Sequence, residues 1–121
     1  MAFRLTATDG CAVEVDGWNW HPTLNLIERA GLLPAETVSL AHHNARARIS
    51  AAQARRISVF LDAYLQGLPP GARVLLDGAI TTEPDDGELD RTNLSSNYSA
   101  TAEWLARFRD FCRVADGFTV S

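Results

Sequence analysis

VDGWNWHPTLNLIERAGLL, residues Val15 to Leu33, sets two of the chain's three tryptophans around one asparagine and follows them with a histidine, a proline and a helical pattern. The point at which strand becomes helix inside this stretch decides the fold. Pro22 suits the first helical position, since it has no N–H to leave unsatisfied and its φ is already helical. Gly31 is the stop after Ala30. If the strand runs through Gly17 towards that proline, alternate side chains share one side, so Trp18 and Trp20 point the same way. They then form a bulky structural corner that packs on a later helix, or else one of them walls a groove.

Working outward, Phe3, Leu5 and Ala7 alternate with polar residues, Asp9-Gly10 supplies a tight turn, and Ala12 to Val15 resumes a strand, which predicts an N-terminal hairpin. Downstream, Leu33-Pro34-Ala35-Glu36 opens a second, shorter helix that fades near His43, with Asn44 as a left-handed cap. The third helix carries a capping box, Ser50 and Gln53, and a stripe of Ile57, Phe60, Leu61, Tyr64, Leu65 and Leu68; Gly67 and Pro69-Pro70 end it. Residues 69–97 read as a long, irregular, acidic connection containing one apolar run, RVLLDGAI, that can form a strand. A fourth helix from about Ser99 to Val114 aligns Trp104, Leu105, Phe108, Phe111, Cys112 and Ala115. Gly117 breaks it, and Phe118 to Val120 returns as a strand beside the hairpin. The prediction is a single α+β domain over residues 1–121, with a small antiparallel sheet, built from the N-terminal hairpin and the C-terminal strand, covered by about four helices.

The 121 residues suffice for one core, since a chain of this size buries roughly 65 to 70% of its unfolded surface. The hydrophobic fraction of 46% and charged fraction of 21% are those of a globular chain rather than a disordered or fibrous one. The opening MAFRLTATDG lacks the apolar core of a signal peptide, and no run approaches the roughly 20 apolar residues of a membrane span. A cytoplasmic location is therefore expected, with Cys11 and Cys112 as thiols acting as small buried hydrophobes.

The net charge of −4 is unevenly laid out. Glu83, Asp85, Asp86, Glu88 and Asp90 fall in one acidic run, whereas Ala41 to Arg56 holds four arginines and two histidines and no acid. The basic stretch His42 to Arg56 has the look of a helix-turn-helix approach, so nucleic-acid binding through Arg46, Arg48, Arg55 and Arg56 is one reading. An overall acidic chain argues against it, because phosphate contacts dominate such affinity. The plainer reading makes Arg55 and Arg56 the solvated face of the third helix.

No metal or cofactor is expected. Adjacent histidines on a helix, His42 and His43, point about 100° apart and do not chelate one ion as an i, i+4 pair does; near a helix end they meet free carbonyls instead. His21 is expected to cap the first helix or to touch a backbone group. The acidic run lacks calcium-loop spacing. There is no nucleophile elbow and no glycine-rich phosphate loop with lysine. A small-ligand or enzymatic pocket, if the chain has one, belongs at the aromatic corner, lined by Trp18, Trp20, His21 and Trp104.

GWNWHPTLNLIERAGLL and TAEWLARFRDFCRVADGFTV resemble segments of a group of small bacterial proteins that share W-x-W-x-P-x-x-x-L leading into a helix and F-x-x-F-C-x-x-x-x-G-F leading out of one. The likeness covers about half of the chain. Proteins of similar size and architecture include immunity proteins of bacterial toxin systems. The missing catalytic constellation, the acidic balance and the long acidic connection lead to the expectation of a non-enzymatic protein that binds another macromolecule, with neutralising a toxin as its most concrete form. In that expectation the carboxylates of Glu83, Asp85, Asp86, Glu88 and Asp90 form an acidic surface that occupies a basic cleft of the partner.

Overall fold

The computed structural model describes residues 2–43, 45–83 and 98–121. The chain opens as a hairpin of β1 (Ala2–Ala7) and β2 (Ala12–Asp16), continues without a loop into α1 (Gly17–Arg29), and then forms α2 (Ala35–His42), β3 (Ala47–Ile49) and α3 (Ala51–Gln66). β4 (Arg73–Leu75), β5 (Ile80–Thr81), β6 (Ser99–Thr101), α4 (Ala102–Val114) and β7 (Phe118–Val120) complete it. The class is α+β, as the sequence predicts. β7 pairs antiparallel with β1, extending the N-terminal hairpin to the order β2-β1-β7-β3.

The transition from strand to helix comes five residues before the proline. The Asp16 carboxylate accepts the Asn19 backbone N–H at 2.8 Å, so Asp16 is the N-cap and Gly17 the first helical residue. Pro22 lies inside the helix, where its missing N–H leaves the Trp18 carbonyl without its usual partner. Because α-helical residues advance about 100° each, Trp18 and Trp20 lie on nearly opposite sides of α1 rather than on one. Trp20 is 1% exposed and Trp18 45% exposed.

The core forms around Trp20. Its ring lies 6.3 Å from Phe3, 6.4 Å from Trp104 and 5.5 Å from Phe108, and Phe118 of β7 closes on Phe108 and Phe111 at 6.0 and 5.3 Å. The α4 stripe read from the sequence is therefore the surface that meets the corner, but only one of the two corner indoles meets it. Both buried indole N–H groups are satisfied: Trp20 donates to the Ala41 carbonyl at 3.2 Å, and Trp104 to the Thr23 hydroxyl at 2.9 Å. The Ser50–Gln53 capping box starts α3, whose Ile57 and Leu61 are fully buried. Gly117 has φ +83°, and a Cβ there would lie 3.0 Å from the Ile49 carbonyl, so the turn into β7 needs glycine to bring β7 against β3.

Three segments depart from the sequence reading. A strand, β3, stands between α2 and α3, with Ala47 and Ile49 buried and Arg48 exposed, so the basic stretch does not build a helix-turn-helix. RVLLDGAI makes the two strands β4 and β5 rather than one: Asp77 accepts from the Ala79 N–H, Gly78 takes φ +89°, and the turn reverses the chain. Ser99 to Thr101 forms β6 rather than the first turn of the last helix, because it pairs with β4 and the Thr101 hydroxyl caps the helix at the Trp104 N–H, 3.1 Å away. A second sheet, β5-β4-β6, thereby joins the first. Cys112 is buried as expected, whereas Cys11 is exposed next to the hairpin turn, where the carboxylate of Asp9 accepts its N–H and raises its thiol pKa. Asn44 lies outside the described residues.

Trp104→Ala removes a stacked neighbour of Phe108 and the indole N–H that the Thr23 hydroxyl accepts, leaving that hydroxyl only its bond to the Asn19 carbonyl. It should lower the unfolding free energy by about 3–5 kcal/mol in urea titrations, as large aromatic truncations do. A loss below about 1 kcal/mol would refute this account of the core.

Candidate functional site

The face of α1 opposite Trp20 carries Trp18, His21, Asn25 and Arg29, spaced three, four and four residues apart and so aligned in one stripe. None of the four is buried, in contrast to Trp20, Leu24 and Ile27 on the other side. Three further elements converge on this stripe: the end of α2 with His42, the β4–β5 turn with the Leu76 carbonyl, and Tyr98 just before β6.

The contacts form a directed chain. Asn25 donates its side-chain N–H to the Leu76 carbonyl at 3.1 Å, and Arg29 donates to the same oxygen at 3.2 Å. A carbonyl only accepts, so the amide nitrogen of Asn25 must face Leu76 and its oxygen must face His42. That oxygen lies 3.2 Å from His42 Nε2, which therefore carries the proton. The neutral His42 ring then offers a lone pair at Nδ1, 2.7 Å from Nδ1 of His21. His21 must donate there. With one proton per neutral ring, its Nε2 is left as a bare acceptor.

The two imidazoles are inclined by only 20° with centres 5.0 Å apart, far more than the separation of the facing nitrogens, so they meet edge to edge through the hydrogen bond. Phe3 presses on His21 edgewise at 5.4 Å. Burial keeps both rings neutral: it lowers His21, helped by the charge of His43, and it pushes His42 down to about 4, helped by His21 and His43. Tyr98 closes the outer end, its ring 4.6 Å from Trp18 and 5.9 Å from His21. Asn19 ties this end to the second sheet, its side-chain oxygen accepting the Thr101 N–H at 3.0 Å.

Of the residues that sequence places in a corner pocket, Trp18 and His21 are brought together at the surface through Tyr98, while Trp20 and Trp104 are core residues. His21 caps nothing; it is bonded to His42. His43 does meet the helix end, with Nδ1 2.7 Å from the Ser39 carbonyl, but His42 turns away to His21 and Asn25. Asn25, His42 and Tyr98 were not singled out from sequence for this site. The signal for Asn25 was present as the spacing Trp18, His21, Asn25, and it is hidden once the helix is started at Pro22.

Glu83 is exposed and its carbonyl accepts from Arg73 at 3.0 Å. Asp85, Asp86, Glu88 and Asp90 lie outside the described residues. Arg46, Arg48, Arg55 and Arg56 are all exposed, spread over the approach to β3, β3 itself and α3. Among the described residues no three His, Cys, Asp or Glu side chains cluster as a metal set, and no helix is long and apolar enough to cross a membrane. No family model, curated protein or solved structure matches the chain significantly.

The lowered histidines tie stability to pH. Unfolded, His42 takes a proton near its ordinary 6.5; folded, it resists to about 4. Its contribution to stability is therefore complete above pH 6.5 and is lost as the pH falls across that window. Thermal unfolding measured from pH 7 to 5 should show a falling midpoint, and His42→Gln should flatten that slope. Equal slopes in the two proteins would contradict the partly buried, neutral pair.

Proposed function

We propose that the chain is a non-enzymatic binding protein that recognises a basic macromolecule, and that its most concrete form is an immunity protein neutralising a bacterial toxin in the cytoplasm. The observation that supports this is the exposed Trp18, packed at a tilt against Tyr98 at the point where the chain returns from its acidic segment. Tryptophan and tyrosine are the side chains that most often anchor protein interfaces, because a rigid ring covers much area at little entropic cost. Carboxylates attract a basic surface before contact and speed its arrival.

The two parts have separable roles. Trp18 and Tyr98 are short-range anchors, so their loss should act on dissociation. Glu83, Asp85, Asp86, Glu88 and Asp90 form a long-range field, so their loss should act on association and its dependence on salt.

The test begins with a partner recovered by cross-linking to the wild-type chain in cells of its origin and then purified. Replacing the five acids with Gln or Asn should slow association about tenfold at low salt and remove most of its salt dependence. Trp18→Ala should accelerate dissociation with little effect on association. Unchanged association and salt dependence in the five-acid variant would overturn the reading.

A further inference from the structure

We infer that Trp18, His21 and Tyr98 form a receptor for one cationic N–H donor, a guanidinium or ammonium side chain presented by the partner. The inference rests on the binding role proposed above and adds the chemistry of the group recognised.

Three features of the site converge on a cation that also donates a hydrogen bond. Trp18 leaves 45% of its surface in solvent, and an indole face attracts a cation placed within about 6 Å of its centre. Tyr98 packs against both Trp18 and His21, so the indole and the imidazole border the same part of the surface. His21 Nε2, the end of the hydrogen-bond chain from Leu76 through Asn25 and His42, is a lone pair with no partner among the described residues. Such an acceptor matches N–H and O–H donors and repels carboxylates and phosphates.

The fixed chain is what distinguishes this imidazole from an ordinary surface histidine. A free ring exchanges its proton between both nitrogens and could meet either a donor or an acceptor. Here the Leu76 carbonyl, which can only accept, fixes the proton on each successive ring. A backbone oxygen in the β4–β5 turn thereby sets what His21 shows to a ligand. The partial positive charge at the start of α1 would oppose a cation, but the Asp16 carboxylate sits there as the cap and offsets it. Arg29 lies two turns away at the far end of the stripe, bonded to Leu76.

Isotope-labelled wild-type protein at neutral pH tests this by nuclear magnetic resonance, with N-acetylarginine amide as the probe and the neutral, apolar N-acetylnorleucine amide, which has no side-chain N–H, as control. His21 should carry its proton on Nδ1 and His42 on Nε2. The arginine probe should shift His21 Nε2 and the Trp18 indole N–H together and saturably, the norleucine control should not, and His21→Phe should weaken the arginine probe about tenfold. His21 protonated on Nε2, or equal responses to the two probes, would overturn the inference. If the probe fails while the five-acid variant still loses the partner, the receptor is wrong and the binding role stands; if the probe binds but the five-acid variant keeps normal association, the binding role is what fails.

Discussion

Asp16 accepting the backbone N–H of Asn19 is the contact on which the rest of this structure depends. It starts α1 at Gly17, directly at the end of β2, and so fixes the rotation of every residue that follows. With about 100° per residue, one position of slip would swing each α1 side chain through more than a quarter turn. In the observed register Trp20, Leu24 and Ile27 face the core while Trp18, His21, Asn25 and Arg29 face outward. One cap thus divides a core from a candidate site along the same helix.

The inner face is held by packing that also satisfies its polar atoms. Thr23 shows how closely these are combined: its hydroxyl donates to the Asn19 carbonyl one turn back at 2.8 Å and accepts from the Trp104 indole at 2.9 Å. An unsatisfied buried donor would cost about 1–3 kcal/mol, comparable to the gain from burying the side chain, so indoles are tolerated in this core only because each has an acceptor waiting. The outer face works differently. Its histidines and asparagine are only partly covered, they bond to one another across α1, α2 and the β4–β5 turn, and the chain of bonds runs in one direction because it begins at a carbonyl.

Much of the fold was legible in the sequence wherever a local signal was unopposed. The Asp9-Gly10 hairpin, the Ser50–Gln53 capping box and the aromatic stripe of α4 each combine hydrophobic spacing with a specific turn or cap residue. What escaped was decided by competition between signals or by distant partners. Pro22 is a strong helix starter, yet Asp16 captured the helix earlier because a carboxylate cap satisfies an N–H that proline position alone does not. β3 and β6 have three residues each, too few for periodicity, and exist because β7 and β4 offer them ladders. The outward stripe is visible in the spacing of Trp18, His21 and Asn25 once the helix is capped at Asp16, but His42 and Tyr98 join it only through contacts across 17 to 80 positions of chain, which spacing does not encode.

The central claim is that one helix start places two tryptophans, two residues apart, in opposite roles. Matched truncations measured by urea unfolding test it most directly. Trp20→Ala should lose about 3–5 kcal/mol, and Trp18→Ala should lose less than about 1 kcal/mol, since one empties the core and the other trims a largely solvated ring. Equal losses in the two variants, or the greater loss at Trp18, would contradict the register of α1 and with it the division between core and site.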